Sequence, residues 1–306
     1  MKRYLLAVVG IAVLAAATVF LVAACGGDTT SPASSEPAAA ATGAAALLPA
    51  AIKDSGVLRF GTNAESPPAA MFDTDNETII GSDVEIGTAL AEKLGLKAEW
   101  TSINWDGLRP SLLSGRFDAV MSQMGDFTDR QAQVTFVDYM KGGICLLIRA
   151  EDEGKYQKIE DLAGVPLGAT KGASTVGVGK QAIKQLESEG LEPATLALFP
   201  GEGPGSVALR SGRIDGYVYD WMGGVYRKQT QPDFSYAFPD MLGASYPYGI
   251  ALPKTDDGQK MAEAMSAALD ELIADGTYQK ILDKYGMGDF AVEKAVINGG
   301  TTSSGA

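Results

Sequence analysis

The 306-residue sequence contains no histidine, only two cysteines, and 25 Lys and Arg against 38 Asp and Glu. Without histidine the commonest general base and the commonest metal ligand are both missing. That turns the reading away from hydrolase and metalloenzyme chemistry, and no metal and no cofactor is expected. The formal net charge of −13 has the wrong sign for nucleic acid or for an anionic lipid surface. Large apolar side chains are scarce between Gly26 and Pro49, a stretch of Ala, Ser, Thr, Pro and Gly. Such a segment cannot bury enough surface to offset chain entropy and reads as a flexible tether over residues 25–50. The run Gly299-Gly300-Thr301-Thr302-Ser303-Ser304-Gly305-Ala306 has the same poverty, so residues 298–306 are expected to be a disordered tail.

What the sequence does have begins at Met1-Lys2-Arg3, followed by an uncharged apolar run from Tyr4 to Ala24. This is the layout of a secretory signal over residues 1–24, although a run of that length also fits an uncleaved membrane anchor. Val22-Ala23-Ala24-Cys25 resembles the bacterial lipobox, in which the cysteine becomes the acylated first residue. An extracytoplasmic protein held at the membrane by Cys25 is expected, with no other membrane contact. Acylation of Cys25 leaves Cys145 without a disulfide partner. In the apolar run Ile144-Cys145-Leu146-Leu147-Ile148 it reads as a small core residue.

The remaining 240 or so residues suit two lobes of ordinary domain size. Short β-type runs alternate with helical patterns: Val57 to Thr62, a helix from about Asp83, a strand near Ala98-Glu99-Trp100. This is an α/β rhythm. Ser82 with Glu85 has the spacing of a capping box, and Gly95 suits the position after the helix. Leu112-Leu113-Ser114-Gly115-Arg116-Phe117-Asp118-Ala119-Val120 is echoed by Leu209-Arg210-Ser211-Gly212-Arg213-Ile214-Asp215-Gly216-Tyr217-Val218. Each copy reads as helix, glycine stop, strand, and two copies point to two similarly built lobes. Ligands of open α/β sheets gather beyond the carboxyl ends of strands, which directs attention to Ser122–Arg130 and to Asp220. Met261, Met265, Ala268, Leu269 and Leu272, then Tyr278, Ile281, Leu282 and Tyr285, predict two closing helices stopped at Gly276 and Gly286.

Several ordered motifs run through the chain. They are Gly56-Val57-Leu58-Arg59-Phe60-Gly61-Thr62, Trp105-Asp106-Gly107-Leu108-Arg109-Pro110, Ser114-Gly115-Arg116-Phe117-Asp118, Arg130 followed by Phe136-Val137-Asp138-Tyr139, Gly168 to Thr175, Gly212-Arg213-Ile214-Asp215 through Asp220, and Pro247-Tyr248-Gly249-Ile250-Ala251. Together they resemble family 3 of the bacterial extracellular solute-binding proteins, the polar amino-acid receptors of ATP-driven importers. The resemblance implies a two-lobed α/β fold of the periplasmic-binding-protein type II. Each lobe would be a mostly parallel sheet flanked by helices, with the ligand cleft between the lobes. Lobe 1 would comprise residues 51–148 and 249–291 and lobe 2 residues 149–248, with crossings near Ile148–Asp152 and Ser245–Tyr248.

The same resemblance implies the site. Arg130 stands where the family clamps the ligand carboxylate, and Asp220 where it receives the ammonium; Asp220 also has the position of a helix N-cap. Backbone N–H groups of the loop Gly172-Ala173-Ser174-Thr175 would add an anion-friendly nest at a helix start, without the closing motif of a nucleotide-binding loop, and Thr170 just before it joins Ser174 and Thr175 as a ligand contact. Trp105 keeps a family contact position and would cover the ligand side chain. Here the sequence departs from its relatives. Ser66, Ala69 and Ser82 replace aromatics, and Phe127 replaces a threonine, which raises a re-registration of Gly125-Asp126-Phe127-Thr128-Asp129. Asn63 and Glu65 add polar groups to the same wall. If Glu65 and Asp126 both face the pocket, a cationic or polar side chain is favoured over an acidic one.

The expected function is an extracytoplasmic, monomeric, non-enzymatic receptor that binds an α-amino acid and presents it to a membrane permease. A dehydratase-like enzyme on the same fold is the alternative, with Glu65, Asp126 or Asp220 as the acid or base. A sensory module would require a following transmembrane and signalling segment, which these 306 residues do not supply.

Overall fold

The computed structural model describes residues 43–305, and the leader and Cys25 lie outside the described residues. A 3₁₀ turn at Gly43–Leu47 and α1 (Ala50–Ser55) already belong to the folded body, so its start cuts into the stretch expected to be tether. Ala44 and Leu48 are buried in the main core.

The first lobe is built from β1 (Val57–Thr62), a small antiparallel sheet of β2 (Glu65–Ser66), β3 (Ala70–Phe72) and β4 (Ile79–Ile80), then α2 (Ser82–Lys93) and β5 (Lys97–Ser102). It continues with α3 (Trp105–Leu113), β6 (Ala119–Val120), the single turn α4 (Thr128–Gln131) and β7 (Val134–Gly142). The second lobe holds β8 (Ile144–Arg149), β9 (Pro166–Thr170), α5 (Thr175–Ser188), β10 (Thr195–Phe199), α6 (Glu202–Arg210), β11 (Gly216–Asp220), α7 (Trp221–Thr230) and β12 (Phe234–Ala237). The chain then returns to the first lobe as β13 (Tyr246–Pro253), α8 (Asp256–Ala274), α9 (Thr277–Lys284) and β14 (Val296–Ile297).

Each lobe has one central sheet, ordered β14-β7-β13-β6-β1-β5 in the first and β10-β9-β11-β8-β12 in the second. Parallel pairing is confined to β5-β1-β6 and to β10-β9-β11. The strands that carry the chain between lobes pair antiparallel, so both sheets are mixed where mostly parallel sheets were expected. The reason is geometric: a segment that leaves a lobe and one that returns to it run in opposite directions. The first crossing therefore lies at Gly143, earlier than expected, because Ile144 to Arg149 already pair with β11 and β12. The second lies at Ser245, since Tyr246 pairs with Gly142 in the first sheet.

The anticipated helices form where their apolar stripes require. In α8, Met261, Ala262, Met265, Ala268, Leu269 and Leu272 are buried. Thr255 caps it by accepting from the Gly258 N–H at 3.0 Å. The Ser82–Glu85 capping box does not form: Gly81 occupies the N-cap and Ser82 is inside α2, its hydroxyl turned to Pro68 O. Gly95, with φ of 72°, ends α2 as expected.

Both repeat copies are helix, glycine with positive φ, then strand, at Gly115 (76°) and Gly212 (70°). Their aspartates are braces. Asp118 accepts from Arg59 Nε at 2.9 Å and Nη2 at 2.7 Å, and from the Arg59 N–H at 2.9 Å. Asp215 accepts from Arg149 Nη2 at 2.7 Å, and Arg149 Nη1 also reaches the carbonyls of Leu209 and Ile214. Asp118→Ala is therefore expected to lower stability by about 0.5–1.5 kcal/mol, by removing the acceptor of three hydrogen bonds from the half-exposed Arg59. Ligand affinity should not change. A denaturant titration beside a binding titration separates these outcomes. Cys145 is a free, fully buried core thiol, and burial pushes its pKa well above the ordinary value.

The expected disordered tail is instead docked. Gly300 N–H donates to Asp126 Oδ2 at 2.8 Å and Ser304 N–H to Asp129 Oδ1 at 2.7 Å. Small residues with little apolar surface can still be ordered when carboxylates receive their backbone N–H groups.

Candidate functional site

The carboxyl ends of β1, β6, β9, β10 and β11 converge between the lobes. They deliver Asn63, Ser122 and Gln123, Thr170, Gly201 and Glu202, and Asp220 to one cavity. Ser66, Trp105, Gly125, Ser174 and Thr175 also line it. Trp105 also lines an adjoining cavity with Arg130, Arg109, Asp106, Met124 and Gly172. Of the eleven anticipated residues, the first cavity gathers eight, and Arg130 faces the second. The exposed Glu65 and the buried Phe127 line neither.

Arg130 sits in α4 and is 3% exposed. Its Nη1 donates to Gly125 O at 3.1 Å. It forms no ion pair among the described residues. Its Cζ stands 5.1 Å from the Phe127 ring centre and 6.0 Å from that of Trp105. Burial first, and then the charge of Arg109, lower its pKa to about 10, so it remains a cation at neutral pH. A buried guanidinium without a carboxylate partner is costly, and it matches a planar anion through parallel N–H bonds. Phe127 has become the floor under this cation, tilted against Tyr246 at 4.6 Å. The substitution that raised a register shift instead supplies an apolar backing.

Asp220 ends β11 half-buried. Its side chain does not cap α7; it accepts a hydrogen bond from the Tyr248 hydroxyl instead. Desolvation raises its pKa to about 6, against the opposing effects of the Tyr248 bond and of Arg130. Arg130 and Asp220 thus feel one another's charge while lining adjoining cavities.

Gly172 to Thr175 lie between the two. Gly172 has φ of 76° and Ser174 is the N-cap residue of the fourteen-residue α5. The positive end of α5 favours an anion here; within its first turn Val176 N–H is bonded to Ala173 O at 3.2 Å and Gly177 N–H to Ser174 O at 3.0 Å, so the amides of Ser174 and Thr175 are the ones offered to the cleft. Thr175 Oγ1 and Gln123 Nε2 are buried without a hydrogen-bond partner among the described residues. Thr170 is bonded to Tyr217 at 2.6 Å and Ser174 to Tyr246 at 3.2 Å. Ser122 Oγ accepts from the Asn63 N–H at 3.0 Å, tying the ends of β1 and β6 together.

Glu202 went unnoticed in the sequence. It opens α6, is 9% exposed, and crosses the cleft to accept from Ser66 Oγ at 2.8 Å. The Tyr219 hydroxyl donates to its other oxygen, and Arg227 Nη2 lies 3.9 Å away. Burial raises its pKa to about 7, with Arg227 opposing and Asp220 reinforcing. The available signal was its place just past the carboxyl end of β10, a strand outside the repeat. Glu65 leans over Gly201, where an added Cβ would meet its carboxylate at 2.6 Å. Asp126 is turned to Gly300 and Gln131, so neither acid expected to colour the pocket does so.

Two mixed α/β sheets joined by paired crossing strands, with a charged cleft between them, define a two-lobed ligand-binding protein. The chain belongs to the bacterial extracellular solute-binding proteins, family 3, which match it over residues 58–288. An L-arginine-binding protein of Pseudomonas aeruginosa is 28% identical over 78% of this chain and 90% of its own length. Among solved structures, an ancestral arginine-binding protein bound to arginine is 30% identical, covering 75% of this chain and 98% of its own, with a TM-score of 0.65. An ancestral amino-acid-binding protein described as a precursor of cyclohexadienyl dehydratase is 28% identical over 77% and 97%, with a TM-score of 0.68. Among the described residues no helix is long and apolar enough to cross a membrane, and no cluster of His, Cys, Asp and Glu suits a metal.

Proposed function

We propose that this protein is the extracytoplasmic receptor of an ATP-driven importer and captures an α-amino acid with a cationic side chain. The carrying observation is the buried, unpaired Arg130 beside the first turn of α5, with two carboxylates, Asp220 and Glu202, lining the adjoining cavity. The ligand carboxylate would take Arg130 and the α5 N–H groups, with Thr175 Oγ1 as a further donor. Its ammonium would take Asp220. Its side chain would run past Trp105, with Ser66 and Asn63 beside it, to Glu202. Arginine-binding relatives support the same charge on the ligand.

A thermal-shift panel of the common amino acids tests this reading. The cationic members should raise Tm, by roughly 2.7 kcal/mol of stability at a hundredfold excess over Kd. A flat panel would sink it. Binding without turnover is part of the proposal, as are a monomeric state and an anchor at acylated Cys25. Conversion of a cyclic hydroxy acid by the purified protein would overturn the first. Release of the Cys25→Ser chain from membranes would support the anchor.

Affinity should depend on pH with a definite sign. A cationic ligand needs Asp220 and Glu202 ionised, and their pKa values are raised to about 6 and about 7. Binding therefore releases protons, and Kd should tighten as pH rises from about 5 to about 8. Their contribution to the stability of the ligand-free chain runs the other way. The folded state holds these protons after the unfolded state has lost them, so this contribution is full below about pH 4 and is lost as pH rises to about 7. Calorimetry in buffers of different ionisation enthalpy reads the proton release; a Kd that does not change with pH would reject the assignment.

A further inference from the structure

After β14 the chain does not leave the fold. Gly299 N–H donates to Asp138 Oδ2 at 2.9 Å and Gly300 N–H to Asp126 Oδ2 at 2.8 Å, while Gln131 Nε2 donates to Gly300 O at 2.8 Å. Thr128 donates to Thr302 O from its N–H at 2.9 Å and from its hydroxyl at 3.2 Å. Asp129 receives the Ser304 N–H at 2.7 Å, the Ser304 hydroxyl at 2.8 Å and the Ser303 hydroxyl at 3.1 Å. These contacts grip the short loop on both sides of Arg130, through Asp126, Thr128, Asp129 and Gln131. All four belong to the first lobe.

The far end of the same segment lies on the second lobe. Ser304 O and the Gly305 backbone sit directly over Gly177 in α5, where an added Cβ would come within 2.3 Å of Ser304 O. Gly177 is one turn from Ser174 and Thr175 in the cleft. Phe127, Gly177, Val178, Gln181 and Thr302 to Gly305 share one cavity at this junction. The first-lobe side of this segment is held by charge-assisted hydrogen bonds at Asp126, Asp129 and Asp138, and the second-lobe side by close backbone packing over Gly177, so parting the lobes must break one of the two.

We propose that residues 299–305 are a strap that stays on the Arg130 loop and latches α5 to it, holding the cleft shut. The strap positions Arg130 at one end and sets the lifetime of the closed form at the other. Its effect on ligand release rests on the receptor reading above; its effect on lobe opening does not.

Two variants test it. Gly177→Ala suits an α-helix and displaces the strap from α5 without touching the clamp loop. Removal of residues 299–306 takes away both ends. Hydrogen exchange of the ligand-free chain is read at Glu65–Ser66 and Gly201–Gly203, amides of the cleft remote from the strap. Both variants should raise exchange there, and both should speed dissociation of bound arginine in stopped flow, by about tenfold for the deletion and less for Gly177→Ala. Only the deletion should also loosen Thr128–Gln131. Unchanged exchange at the cleft in both variants would overturn the strap. If the parent chain binds no amino acid, the receptor reading fails and exchange alone decides the strap.

Discussion

Arg130→Met is expected to abolish capture of amino acids while leaving the ligand-free chain as stable as before, or more so. Methionine keeps the length of the side chain and its contacts with Phe127 and Trp105, the two rings that flank the guanidinium at 5.1 and 6.0 Å. It removes only the charge and the donors. Losing one partner of a buried, hydrogen-bonded charge pair costs about 2–5 kcal/mol, which corresponds to a rise in Kd of roughly thirty- to several-thousandfold. Stability should not follow affinity, because the ligand-free protein bears the desolvation of Arg130 with Gly125 O as its one hydrogen-bonded acceptor among the described residues. Titration calorimetry and a melting curve on the same preparation give both quantities. A variant that binds as tightly as the parent would remove Arg130 from the clamp. A variant that fails to bind and also melts early would make it a structural residue.

Glu202→Gln should change which amino acids are bound more than how many. The amide preserves the volume of the side chain and a hydrogen bond with Ser66, but not the charge. For arginine or lysine the expected loss is about 2–3 kcal/mol, roughly thirty- to more than a hundredfold in Kd. For glutamine or another neutral ligand the change should stay within about threefold, since a desolvated carboxylate gives such ligands no ionic partner. The pH profile adds a check: one of the two carboxylates that must ionise is gone, so fewer protons should be released on binding. Equal losses for cationic and neutral ligands would mean that Glu202 holds the cleft through Ser66 and Tyr219 and does not read the side chain. Because Ser66 belongs to the first lobe and Glu202 to the second, that outcome would still be informative about closure.

Much of the scaffold was legible because it depends on local chemistry. The apolar stripe of Met261, Met265, Leu269 and Leu272 specifies a helix wherever it is placed, and Gly115 and Gly212 end helices because they adopt positive φ at no steric cost. The duplicated Ser-Gly-Arg-x-Asp unit announced two lobes correctly. The role of its aspartates, as acceptors for Arg59 and Arg149, depends on strands distant in sequence. Sheet direction was misjudged for a similar reason. Nothing in Ile144 to Ile148 states that this run pairs with Tyr217–Asp220 and not with its predecessor, since both strands are uniformly buried. The capping box at Ser82 failed because the tight approach of Gly81 to Ala69 moved the helix start by one residue.

In the site, the residues adjacent to strand ends could be nominated from the sequence, but their partners could not. Trp105 and Thr175 came from motif position alone. That Phe127 backs a guanidinium, that Tyr248 and not a helix end engages Asp220, and that Glu202 reaches Ser66 across 136 positions of sequence are facts of assembly. The low-complexity residues 299–305 were misread for the same reason: composition measures what a segment can bury, not which carboxylates await its N–H groups.

By itself the sequence determined an acidic, histidine-free α/β body with two related halves, its helix ends, and the presence of Arg130 and Asp220 past strand termini. These follow from side-chain charge, periodicity and backbone freedom, which act over a few residues. Only the tertiary structure decided the antiparallel crossings, the electronegative wall shared by Asp220 and Glu202, and the strap over Gly177. Each of these depends on desolvation or contact between groups far apart in the sequence, and such terms have no magnitude until the chain is assembled.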